Sequence, residues 1–183
     1  MLKHYLEQIS ALEFSERNAE IPRLVAQEKS AMNSRGVLYS SMTLQALAEF
    51  FAAEFLARCD FLKMFVISHP GLLGLNNEAN IVTEAMTLFQ NSSFTERDGM
   101  KTLYYSTIKS INESLSNEGM KNQIEIAFVK KMEERINKNN LYVEMAYQEI
   151  VVANQTKKDI VMLQPNFYGI GIDLRELWSR YIK

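Results

Sequence analysis

The residues of this chain that could carry out chemistry are few: two histidines, one cysteine and a scatter of carboxylates. A di-iron carboxylate bundle needs a Glu-x-x-His pair on each of two helices. Three residues before His69 stands Val66, and no Glu occupies that offset before His4. A structural zinc site needs four Cys or His ligands, and the zinc-protease spacing His-Glu-x-x-His is absent. No metal or cofactor is therefore expected. Cys59 and His69 lie far enough apart that one continuous helix would separate them by about 15 Å and turn them to different sides. They read instead as a buried thiol and a helix-terminal imidazole, the latter favoured by the helix dipole when protonated.

Two further patterns have simpler readings than chemistry. Gly169-Ile170-Gly171 lacks the third glycine of a dinucleotide fingerprint, since position 174 is Leu, and no strand–turn–helix setting precedes it. It reads as a sharp turn. Lys121, Lys130, Lys131, Arg135 and Lys138 form the densest basic run, but Glu118, Glu125, Glu133 and Glu134 interrupt it. Pairs such as Glu134 with Lys138, four apart, make this a solvated face, and nucleic acid is not an expected partner.

The informative charges are Glu28, Glu54 and Arg58, which fall on otherwise apolar helical faces. Glu54 and Arg58 have the favourable i,i+4 order, and Glu28 could join Arg58 across a helix interface. These three form the expected buried polar cluster. Such a group fixes register more than it adds stability, because desolvation offsets the attraction.

The elements that must position them are helical. Hydrophobic residues make up 47% of the 183 residues and charged ones 23%, with seven Gly and three Pro, so long helices fit better than a many-turned β fold. Leu2, Tyr5, Leu6, Ile9 and Leu12 mark a first helix that fades near Asn18. A second, short helix would begin near Pro22 and carry Ile21, Leu24, Val25, Ala31 and Met32 until Asn33-Ser34-Arg35-Gly36 stops it.

Residues 42–67 form the most apolar helix, capped by Ser40 or Ser41 and ended by His69-Pro70-Gly71. Leu44, Ala48, Phe51, Phe55, Leu62 and Val66 make a large seam; Ala46, Ala53, Ala57 and Met64 make a small one on the other side. Two apolar faces predict a helix at the centre of a bundle. Asn76-Asn77 can cap a helix running to Asn91, and Ser93-Phe94-Thr95-Glu96 fits a capping box for the next. The pattern from 94 to 137 suits one helix or two, with Asn117-Glu118-Gly119 as the break.

Near residue 139 the character changes, which predicts a helical bundle over 1–138 and a C-terminal segment over 139–183 packed on it as one domain. Leu141, Val143, Met145, Tyr147 and Val151 alternate as a strand does, while Tyr142, Ala146, Ile150 and Ala153 align as a helix does. The expectation favours a hairpin over 141–163, a loop at 165–171 and a terminal helix from Asp173.

The fold class expected is thus mainly α, a multi-helix bundle with a small C-terminal β-hairpin and terminal helix. Nothing assembles a nucleophile, base and oxyanion donor, so the expected function is a non-enzymatic interaction or scaffold module, possible self-association included, with Tyr168, Trp178 and Tyr181 as interface anchors. The alternative is a small-molecule sensor or carrier whose apolar pocket is lined by Met, Phe and the Glu54–Arg58 pair. A net charge of -2, a single cysteine, no export signal and no membrane span fit the cytoplasm.

Overall fold

The computed structural model describes residues 2–73 and 80–162, with side chains over 4–71 and 80–154. Four long helices account for nearly all of them: α1 (Leu2–Ser34), α2 (Ser41–Ser68), α3 (Ile81–Ser114) and α4 (Glu118–Met162), with a 3₁₀ turn at Pro70–Leu73 after α2. No strand occurs among the described residues. The chain divides into two compact units, Met1–Glu149 and Ile150–Lys183. The packing described below belongs to the first.

One helix stands where two were expected at the N-terminus, because α1 runs unbroken through Pro22. An interior proline removes a backbone hydrogen bond and costs about 3 kcal/mol. Phe14, Ile21, Val25 and Met32 keep one buried stripe on both sides of it, and their burial offsets the defect. The stop at Gly36 is as expected. With φ at +71° Gly36 sits in the left-handed region, its N–H reaches the Asn33 carbonyl at 2.9 Å, and the Val37 N–H reaches the Met32 carbonyl at 3.0 Å. This is a Schellman closure.

Ser40 takes the N-cap position of α2, but its hydroxyl donates to the Val37 carbonyl, as does that of Thr43, at 2.6 and 2.8 Å. The large seam of α2 is buried throughout: Leu44, Ala48, Phe51, Phe55, Leu62 and Val66 are at most 5% exposed. The small seam is not covered as expected. Ala53 and Met64 are exposed and Ala46 and Ala57 half-buried, so the described neighbours pack on the large seam and leave the small one largely open.

The expected start of a helix at Ser93 is also overturned. α3 runs straight through Ser93–Glu96, Ser93 is buried in its core stripe, and the Thr95 hydroxyl donates back to Asn91. The real break follows at Leu115–Asn117, where Asn117 accepts the Met120 N–H with its side chain at 3.1 Å and the Lys121 N–H with its carbonyl at 3.2 Å. Asn117 caps α4. Residues 94–137 therefore belong to two helices. The expected cap at Asn76-Asn77 lies outside the described residues.

Between 141 and 162, where hairpin and helix competed, the described residues are helical. Phe128, Met132, Ile136, Asn139, Val143 and Tyr147 form the buried stripe of α4 at steps of four, four, three, four and four. Period-two alternation therefore samples both sides of a helix here: Val143 and Tyr147 point inward, whereas Leu141 and Met145 are 59% and 56% exposed. The loop and terminal helix expected beyond residue 164 lie outside the described residues.

Side-chain pairs fix the directions. Phe14 meets Phe61 and Arg17 meets Glu54, so α1 and α2 are antiparallel. Phe51 against Tyr104 and Arg58 against Glu96 make α2 and α3 antiparallel. Tyr104 against Phe128 and Arg97 against Glu133 do the same for α3 and α4. The result is an up-down-up-down bundle in which α2 and α3 form the shared central pair.

Candidate functional site

The densest polar grouping is built around Arg58, which is 2% exposed on the inward face of α2. A guanidinium carries five N–H donors in a planar fork, more than one carboxylate can accept. Its Nε donates to Glu54 Oε1 at 3.0 Å, one turn earlier on the same helix. From α3, Glu96 Oε2 accepts from Nη1 at 3.1 Å, and from α1, Asn18 Oδ1 accepts from Nη2 at 2.7 Å. The plane lies over the Phe14 ring at 4.8 Å. Arg17 closes the outer side by donating to Glu54 Oε2 at 3.2 Å.

Three helices are thus tied to one side chain. The Glu54–Arg58 pair read from the sequence forms, but Glu28 does not join it. Glu28 is half-buried and lies about 15 Å further along α1 than Asn18, the residue that reaches Arg58. Sequence periodicity does not point to Asn18 or Glu96, because the apolar stripe of α1 fades at Asn18 and Glu96 completes an apparent capping box. The legible signal was the donor count of arginine, which demands acceptors beyond Glu54.

A second polar group joins α2 to α4. Asn139, 1% exposed, donates through Nδ2 to Asp60 Oδ1 at 2.8 Å and to Cys59 Sγ at 3.4 Å. Arg135 also donates to Asp60, and Lys63 lies 3.5 Å from it. Burial alone would raise the Asp60 carboxyl, but hydrogen bonds from Arg135 and Asn139, with the charges of Arg135 and Lys63, outweigh it and hold the group below its ordinary value. Burial pushes the Cys59 thiol up, against the lowering effect of Asn139 and Ser93. Its environment is that of an inert thiol.

His69 is the C-cap of α2. Its Nδ1 donates to the Phe65 carbonyl at 2.8 Å, so that nitrogen carries the proton, and its ring stacks on Phe65 at 4.4 Å. Cys59 and His69 are not brought together. Among the described residues no group of three or more His, Cys, Asp or Glu is placed to hold a metal ion. Within the basic run, Lys121 pairs with Glu118, Lys130 with Glu134 and Arg135 with Asp60. No described helix is long and apolar enough to cross a membrane.

Two surface features complete the site. A cleft of about 360 Å³ opens between α1 and α3 over Leu62 of α2, with Glu96 on its wall. On α4, Leu141 and Met145 project opposite the buried stripe. Tyr168, Trp178 and Tyr181 lie outside the described residues.

Comparison of the chain with protein-family models, with curated proteins and with solved structures finds no match.

Proposed function

We propose that the chain is a non-enzymatic helical scaffold module that self-associates through the outward face of α4. The observation that carries this reading is the exposure of Leu141 and Met145, 59% and 56%, on the side of α4 directly opposite its core stripe. An amphipathic helix needs one apolar stripe, so a second one asks for a second partner. The flanking charges favour another copy of the same helix. Lys138 lies one turn before Leu141 and Glu149 one turn after Met145.

In an antiparallel pair centred on Val143, Leu141 of one copy meets Met145 of the other, and Lys138 meets Glu149. A two-fold contact of this kind is self-complementary. The aromatic residues Tyr168, Trp178 and Tyr181 are proposed as further anchors.

Light scattering of the full chain tests the reading. A dimer that becomes a monomer on Met145→Lys, with the helical signal kept, is expected. A wild-type chain that stays monomeric at high micromolar concentration overturns it.

A further inference from the structure

We infer that α4 is a detachable strap: over residues 118–149 it leaves α2 and α3 as one unit, while α1, α2 and α3 stay packed. The two polar groups of the bundle divide along that line. Arg58 is bound by Glu54 of α2, Glu96 of α3 and Asn18 of α1, with the Phe14 ring of α1 beneath it. None of these partners belongs to α4, so the first three helices are closed around a guanidinium whose nitrogens all donate.

The layer that holds α4 is built differently. Asn139 and Arg135 both donate to Asp60 of α2, yet Arg135 Nε, Asn139 Oδ1 and Asn140 Oδ1 are buried with no hydrogen-bond partner. The three lie within about one and a half turns of α4. Ser10 Oγ, on α1, is the one other such side-chain atom among the described residues. A buried polar atom without a partner penalises the docked state, and the penalty is lifted when water reaches it. Undocking α4 relieves three at once. Against it stand the apolar stripe from Phe128 to Tyr147 and the bond from Tyr147 to the Val66 carbonyl. The balance puts α4 at the low-stability end of the fold, where a segment opens cooperatively without global unfolding.

The opening has a built-in reporter. Cys59, the single cysteine of the chain, is 0% exposed, and Asn139 Nδ2 lies 3.4 Å from its sulfur. Docked α4 seals the thiol. Its departure uncovers the thiol together with two apolar surfaces, the inner stripe of α4 and the faces of α2 and α3 beneath it.

This device does not depend on self-association through α4, and the test is run in the Met145→Lys background as well as in the wild-type chain. Iodoacetamide labelling of Cys59 in native buffer is followed by mass spectrometry, beside urea denaturation of the same proteins. Cys59 is expected to react faster than the globally unfolded fraction allows. Tyr147→Phe removes a contact made only in the docked state, so it is expected to speed labelling about five- to a hundredfold. The α1 double change Ile21→Val with Val25→Ala, at two buried positions, is expected to lower global stability about tenfold and leave the labelling rate unchanged, because α1 keeps its contacts in the open form. Amides of residues 128–147 are expected to exchange hydrogen together, ahead of the buried segments of α2.

Labelling that both variants speed in proportion to their lost stability means unfolding of the whole bundle. Labelling that neither variant speeds means a fluctuation confined to Cys59. Either result overturns the inference.

Discussion

The Tyr147 hydroxyl donates to the Val66 carbonyl at 2.7 Å, and that carbonyl lacks its α-helical backbone donor, because the residue four positions on is Pro70. Both groups are buried, Tyr147 and Val66 each at 0% exposure. The last turn of α2 is completed by side chains: His69 serves Phe65 and Tyr147 of α4 serves Val66.

Tyr147→Phe is therefore expected to destabilise the fold by about 1–3 kcal/mol, the cost of leaving a buried acceptor unpaired. Chemical denaturation measures it. In a Pro70→Ala background, where an N–H is restored at that position, the same change is expected to cost less. Equal costs in the two backgrounds would show that the carbonyl is not what Tyr147 serves.

Burial pushes the Tyr147 hydroxyl up to about 12, and burial, with the charge of Glu125, does the same for Tyr104. A folded value above the unfolded one means stability that is complete below about pH 10 and lost as pH rises from there toward 12. Urea midpoints are expected to stay level up to about pH 10 and then fall. Replacing both tyrosines with Phe should make that alkaline limb shallower, leaving the part that belongs to Tyr105, whose hydroxyl is raised by burial and by its bond to Glu125.

Arg58→Met leaves Glu54 and Glu96 without the cation that both contact. Removing one member of a buried ion group costs about 3–5 kcal/mol, and that loss is expected at pH 7. The triple change with Glu54→Leu and Glu96→Leu is expected to recover most of the stability. Thermal melts of the three proteins at pH 7 decide it.

Much of the bundle was legible because helices are local. The seam Leu44, Phe51, Phe55, Leu62 and Val66 needs only a period, and the Gly36 stop needs only its φ. What failed was local inference at places decided by tertiary contact. Pro22 looks like a beginning until the stripe on either side is packed, and Ser93–Glu96 satisfies a capping pattern although Ser93 is buried. Residues 141–152 hold apolar side chains on two helical faces, which in a linear reading resembles alternation. At Arg58 the nearest partner could be read from spacing, but Asn18 and Glu96 come from other helices and no periodicity points to them.

Self-association of α4 makes a prediction about charge rather than size. Lys138 and Glu149 are not paired within the described residues, and the antiparallel arrangement sets each against the other in the opposite copy. Lys138→Glu alone places acid against acid, and Glu149→Lys alone places base against base; each is expected to weaken the dimer. Exposed pairs are worth about 0.2–1 kcal/mol each, and the two-fold axis doubles the effect, so a several-fold rise in dissociation constant is the expected scale. The double swap restores opposite charges at both contacts. Recovery of wild-type affinity in the double variant, measured by sedimentation at low salt, fixes the antiparallel register. If the swap does no better than either single change, Lys138 and Glu149 do not face each other.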